Sequence, residues 1–249
     1  MKLYKIIFLL LIFPIIGKSQ NIQASYKVSQ DIFASFQDFD KKKIATLESI
    51  GYFYKKENHY LYFEKPSYLS DYPTGHVELS EYNLLVGISM DSIQKLNYVS
   101  LDSLVRYYRP HMTGKDRVKF NYSQKFELDY FDWEFLPETK DVNGLKCQKA
   151  QLKIRDNLQW IVWFAPEIPT QAGIFNITGL PGLVVSAECV PINTRYELVS
   201  YTIGTDISEQ LFHPKEFNQP FTRMVDLKKG MKSNGGKSKI QKQAELTNQ

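Results

Sequence analysis

Two apolar ribbons, 160–164 (WIVWF) and 183–187 (LVVSA), flank the segment APEIPTQAGIFNITGLPG, and this arrangement constrains the fold more than any other stretch. Five residues are too few for a helix, and the aromatic and β-branched side chains of WIVWF suit a strand, read here as buried on both faces. Pro166 and Pro169 end that strand, because neither can donate to a sheet ladder and each biases the preceding residue toward an extended conformation. Gly173 and Gly179 allow a long crossing loop. Leu180-Pro181-Gly182 has the proline-then-glycine order of a tight turn, and a strand restarts at Leu183.

The remaining chain repeats the strand pattern. Ile22, Ala24, Tyr26 and Val28 alternate with polar residues, as one face of a strand does, whereas 31–47 reads equally as a helix or a strand pair. Segments 50–54 and 60–63 predict a hairpin, and strands are expected over 78–89 and 103–108. A strand pair is expected over 116–135, where apolar parity changes at Tyr130-Phe131 and implies a bulge or bend. Asn143-Gly144 is a turn, 145–155 and 158–164 form a hairpin about Asp156-Asn157, and 183–190 with 196–203 forms another. There is no βαβ alternation. The predicted class is therefore mainly β: a single antiparallel twisted sheet, half-barrel or sandwich, with a short C-terminal helix begun at His213-Pro214 or a tail.

Residues 1–19 read as a signal peptide. Lys2 and Lys5 precede an eleven-residue apolar run at 6–16, and Gly17-Lys18-Ser19 is a small-residue exit. The run is too short to span a bilayer comfortably, and no later segment is longer. The expected mature protein is periplasmic or secreted, a β-rich domain over 20–226 followed by a basic tail over 227–249. Losing Lys2, Lys5 and Lys18 reduces the formal charge of +4 to about +1, so composition gives no reason to expect nucleic acid as a partner.

The two cysteines, Cys147 and Cys189, then sit in an oxidising compartment. They read either as one disulfide or as two buried thiols that never meet.

Three blocks, Gly144 to Ala150 (GLKCQKA), Trp163 to Pro169 (WFAPEIP) and Gly179 to Leu183 (GLPGL), resemble the GLPGLI family of secreted bacterial proteins, found mostly in Bacteroidetes. Val184-Val185 stand where that family more often has isoleucine-leucine. The resemblance implies kinship and an envelope location rather than an activity.

No nucleophile elbow, phosphate-binding glycine loop or zinc motif is present, so no catalytic residue, cofactor or metal is assigned. The carboxylates of 127–141 read as the polar face of a strand. Aromatics crowd 52–72, and with the crossing loop they give the candidate binding residues: Tyr60, Tyr62, Trp163, Phe164, Pro166, Pro169, Gly179, Leu180, Pro181, Gly182 and Leu183. GLPGL itself reads more readily as structure, since none of its side chains can do acid-base or nucleophilic work. The expected function is a non-enzymatic binding or accessory module whose partner is an envelope protein or a small hydrophobic or aromatic-stacking ligand. The alternatives are a hydrolase with a dispersed site, which requires a histidine paired to a serine or carboxylate, and a hydrophobic-ligand carrier, which requires a deep apolar cavity.

Overall fold

Ile22, Ala24, Tyr26 and Val28 are each at most 2% exposed, so β1 (Ile22–Phe36) presents the apolar face its alternation predicts. A computed structural model describes residues 20–36, 39–80, 84–88, 95–109, 121–214 and 221–223. The expected signal peptide and basic tail therefore lie outside the described residues. β2 (Phe39–Lys56) returns antiparallel along β1, paired as far as Phe36 opposite Phe39 with register shifts at Ile32/Phe33 and Ala34/Phe36. The ambiguous 31–47 stretch is thus a strand pair. Thr46 stands opposite Asp31 and donates to its Oδ1 at 2.7 Å, while Lys43 and Arg195 reach the same carboxylate at 2.8 and 3.1 Å.

β1 joins two antiparallel meanders. On one side of it lie β2, β3 (His59–Pro66), β6 (Leu96–Ser100), β7 (Val105–Arg109) and β8 (Asn121–Lys125), with β14 (Phe221–Arg223) parallel to β8. On the other lie β13 (Thr194–Ile203), β12 (Leu183–Cys189), β11 (Asn157–Ala165), β10 (Leu145–Ile154) and β9 (Glu134–Val142). The order β14-β8-β7-β6-β3-β2-β1-β13-β12-β11-β10-β9 makes a twelve-stranded sheet whose edges, β14 and β9, do not meet. It is open rather than a closed barrel. Register shifts at Ser25/Tyr26, Leu152/Lys153 and Trp163/Phe164 mark bulges, which bend and twist strands.

Several boundaries differ from expectation. The 78–89 strand is a separate two-stranded sheet, β4 (His76–Leu79) with β5 (Leu84–Gly87), and Val77 joins Ala45, Leu47 and Tyr68 in a small satellite core. β6 has no counterpart in the sequence reading. Residues 126–133 are irregular, which accounts for the parity change at Tyr130-Phe131. The β10–β11 turn falls at Arg155 and Asp156, both at positive φ, one residue earlier than predicted. Ahead of His213 the chain makes a 3-10 turn, Glu209–Phe212, and the short helix expected from His213-Pro214 onward falls on residues outside those described.

WIVWF is buried on one face only. Trp160, Val162 and Phe164 are inside, whereas Ile161 and Trp163 are half-buried, because the outer face over Trp163 carries only lysine stems, with Lys140 Nζ 4.3 Å and Lys149 Nζ 5.7 Å from the ring centroid.

The cysteines are two separate buried thiols, not a disulfide. Cys147 is on β10 and Cys189 on β12, with β11 between them. Cys189 faces Trp160, which faces Leu152, five residues beyond Cys147. That places them about 16 Å apart along the strands and about 10 Å across, beyond any disulfide's reach. Burial raises both thiols, Cys189 to about 11, and Cys147 Sγ donates to Leu145 O at 3.4 Å.

Candidate binding groove

The crossing loop, 166–182, lies on the inner face of the β9–β13 wing. Ile168, Ala172, Ile174, Ile177 and Leu180 are at most 4% exposed and complete the main core with Phe164, Leu183 and Tyr196. The backbone is bonded as it descends: Gly173 N donates to Ile177 O, Gly179 N to Gln171 O and Leu183 N to Ile168 O, each at 2.9 Å. Trp133 Nε1 donates to Thr178 O at 2.8 Å, and Tyr26 Oη to Val184 O at 2.7 Å. Buried polar backbone is thereby satisfied from β1 and from the segment before β9.

The motif's glycines are explained by space. Gly179 has φ +84, and a Cβ there would lie 2.7 Å from Leu128 O. At Gly182 a Cβ would meet Ala165 O at 2.3 Å. Leu180 and Leu183 are plugs. Phe175 takes a left-handed conformation, φ +51, which costs a side chain about 1 kcal/mol, and is held by Trp160, ring centroids 6.0 Å apart, and by Lys95 Nζ 5.3 Å from its ring.

Of the sequence-selected binding residues, Tyr60, Tyr62, Phe164, Leu180, Gly182 and Leu183 are buried, and Trp163 is half-buried beneath Lys140 and Lys149 on the outer face. Three converge. Tyr60, Pro169 and Pro181 line one groove of about 590 Å³, where β1 begins, the β2–β3 hairpin turns and the crossing loop passes; Lys55, Glu57, Asn58, Glu167, Thr170 and Gln171 complete its wall. Lys55 is buried and donates to Gln20 O at 2.9 Å, and its ammonium lies 6.0 Å from the Tyr60 ring centroid. Burial raises the Tyr60 phenol. Pro166 belongs to a second groove of about 620 Å³, with Lys140, Lys146, Cys147 and Glu167. Both walls are mixed polar and apolar, which suits an elongated ligand with flat apolar parts.

The aromatic cluster of 52–72 is divided by strand parity. Tyr60 and Tyr62 turn inward, while Tyr52, Tyr54 and Phe63 stack outside, with centroids 5.2 and 6.1 Å from Phe63. His59 lies on that outer face. Its Nδ1 is 2.7 Å from Tyr98 Oη, its Nε2 is 3.5 Å from Asp102 Oδ2, and Phe212 packs on both rings. His76 and His213 are exposed, and His111 lies outside the described residues. The β9 carboxylates pair with their neighbours on β10, Glu134 with Gln151 and Lys153 and Glu138 with Lys149.

Sequence reasoning missed an inward polar centre. Tyr62 lies across Gly51, where a Cβ would be 2.6 Å from its Oη, and donates to Glu64 Oε1 at 3.0 Å. Lys95 Nζ is 3.4 Å from Glu64 Oε2. Burial pushes the Tyr62 and Tyr196 phenols well up, and Glu64 adds to both shifts, although Tyr196 Oη completes no hydrogen bond of good geometry. The available signal was parity: Glu64 follows Tyr60 and Tyr62 at two-residue spacing, a charge at a core position.

No family model and no curated protein matches the chain. Among solved structures, it is similar to PNGF-II in a C2 crystal form, with 12% identity and a TM-score of 0.44 over 85% of this chain and 31% of that one. PNGF-II in a P21 form gives 13% and 0.45, over 83% and 31%. An uncharacterized conserved protein from Thermus thermophilus gives 8% and 0.39, over 83% and 91%. The chain thus spans 31% of the length of PNGF-II. Among the described residues, no helix is long and apolar enough to cross a membrane.

Proposed function

We propose that this chain is an exported cell-envelope protein of the GLPGLI type, a non-enzymatic binding or accessory module that takes its ligand or partner at the rim groove. One observation carries the reading: Tyr60 from β3, Pro169 from the start of the crossing loop and Pro181 from its end line the same groove. The loop's apolar side chains are used up inside the core, so recognition falls to its exposed prolines and polar rim. Pro169→Glu and Pro181→Glu change that rim without entering the core. Affinity capture from native envelope, followed by mass spectrometry of proteins and small molecules, should lose a ligand with both variants and keep it with Trp163→Ala. Equal capture by all three folded variants overturns the assignment.

The hydrolase alternative has one observation in its favour, the placement of His59 beside Asp102 and Tyr98. Turnover of an ester, peptide or glycoside by the purified protein, lost in His59→Ala, would favour it.

A further inference from the structure

The β6–β7–β8 part of the inner face holds a positive charge that no carboxylate among the described residues answers. Arg106 stands opposite core Val99 on one side and Gln124 on the other, so all three share the inner face. Its Nη2 donates to Gln124 Oε1 at 2.9 Å, and its guanidinium carbon lies 4.8 Å from the Tyr108 ring centroid. Its Nε is closed to solvent and has no hydrogen-bond partner. Among the described residues no carboxylate forms an ion pair with it, and the inward carboxylate of Glu64 is committed to Lys95 and Tyr62.

That arrangement is costly as it stands. A guanidinium cannot shed its charge near neutral pH, and Arg106 is half-buried with its Nε shut off from water, so part of its hydration is lost with no counter-ion among the described residues to replace it. Neither a neutral amide nor an aromatic face supplies the missing negative charge. Burial pulls the Arg106 pKa down, in keeping with this setting, and the Tyr108 and Tyr130 phenols are the groups its charge acts on. Beside it, Tyr108 stacks on Tyr122 with centroids 5.2 Å apart, and buried Asn97 stands opposite Tyr108.

We propose that Arg106 anchors a binding site for a small organic anion, whose carboxylate or phosphate accepts the remaining guanidinium donors while its flat part lies against the Tyr108–Tyr122 pair. The planar fork of donors matches both oxyanions, and Tyr108, already stacked on the guanidinium, is a preformed platform. The site is separate from the rim groove, so the two proposals stand or fall independently.

The test is calorimetric titration of the purified protein with benzoate, phenyl phosphate, inorganic phosphate and, as the uncharged control, benzamide. Wild type should bind benzoate or phenyl phosphate saturably and benzamide not at all, and the better of the two identifies the oxyanion. Arg106→Gln should weaken that binding by about tenfold or more, and Arg106→Lys should restore part of it. Lys65→Met, which removes a charge from the outer face, should leave it unchanged. If Arg106→Gln does not fold, Arg106→Lys with Tyr108→Leu carries the test, each expected to weaken binding. Absence of saturable binding to every anion, or equal binding by wild type and the folded Arg106 variants, overturns the proposal.

Discussion

The two wings joined by β1 fill their inner faces differently. Over β9–β13 the crossing loop supplies Ile168, Ala172, Ile174, Ile177 and Leu180, and the interior is mostly apolar, with Asn176 Oδ1 and Tyr196 Oη its buried polar atoms without a hydrogen bond. Over β3 and β6–β8 the same face carries Glu64, Lys95, Asn97, Arg106 and Gln124 among tyrosines, with Arg106 Nε buried without a hydrogen bond. The first face is closed by its own chain, whereas the second keeps a guanidinium with no carboxylate partner among the described residues. Lys95 over the strained Phe175 and Tyr62 edge-on to Tyr196 are contacts between the two.

The comparison breaks first, if it breaks, in the apolar wing. Phe164→Ala should cost about 3–5 kcal/mol in denaturant unfolding, because the ring is fully buried against the loop; a loss below about 1 kcal/mol would mean the loop is not seated as described. In the polar wing, Lys95→Met strands the Glu64 carboxylate and should cost about 3 kcal/mol, while the pair Glu64→Leu with Lys95→Met should recover most of it. If single and double variants lose equally, the ion pair is not buried. Gly179→Ala should cost about 2 kcal/mol, from the positive φ and the approach of Leu128 O, again by denaturant unfolding.

The smallest effect lies on the outer face, where both wings should behave alike. Lys43, then Thr46, then Arg195 hold Asp31 at about 2, below its ordinary 3.8. A lowered folded-state pKa stabilises above the unfolded value and loses that contribution as pH falls through the folded one. The stability gap between wild type and Asp31→Asn should therefore be constant above about pH 5 and close as pH approaches about 2, read from melting temperature against pH. A gap independent of pH would contradict the pairing.

Strand content and most hairpins are legible because burial enforces two-residue parity: Ile22 to Val28 in β1 and Asn143-Gly144 before β10 read directly. The role of GLPGL is legible too, because glycine and proline report backbone geometry. Two kinds of feature are not. Parity gives a strand's faces but not its neighbours, so Cys147 and Cys189 on non-adjacent strands look the same as a bonded pair, and Trp163 looks as buried as Phe164. Sites built from distant strands leave no local motif. Tyr60, Pro169 and Pro181 come together only through the crossing loop, and Arg106 escapes notice because arginine on a short strand ordinarily faces water.

The seating of the crossing loop decides most of this, and hydrogen exchange measures it directly. The amides of Gly173, Gly179 and Leu183 donate inward to carbonyls of the same loop, so they should exchange only through global unfolding, with the same protection as the β11 and β12 ladder amides. Exchange of these three far faster than that of the neighbouring ladder, and insensitive to Phe164→Ala, would show that the loop lies open on the surface and contradict the account.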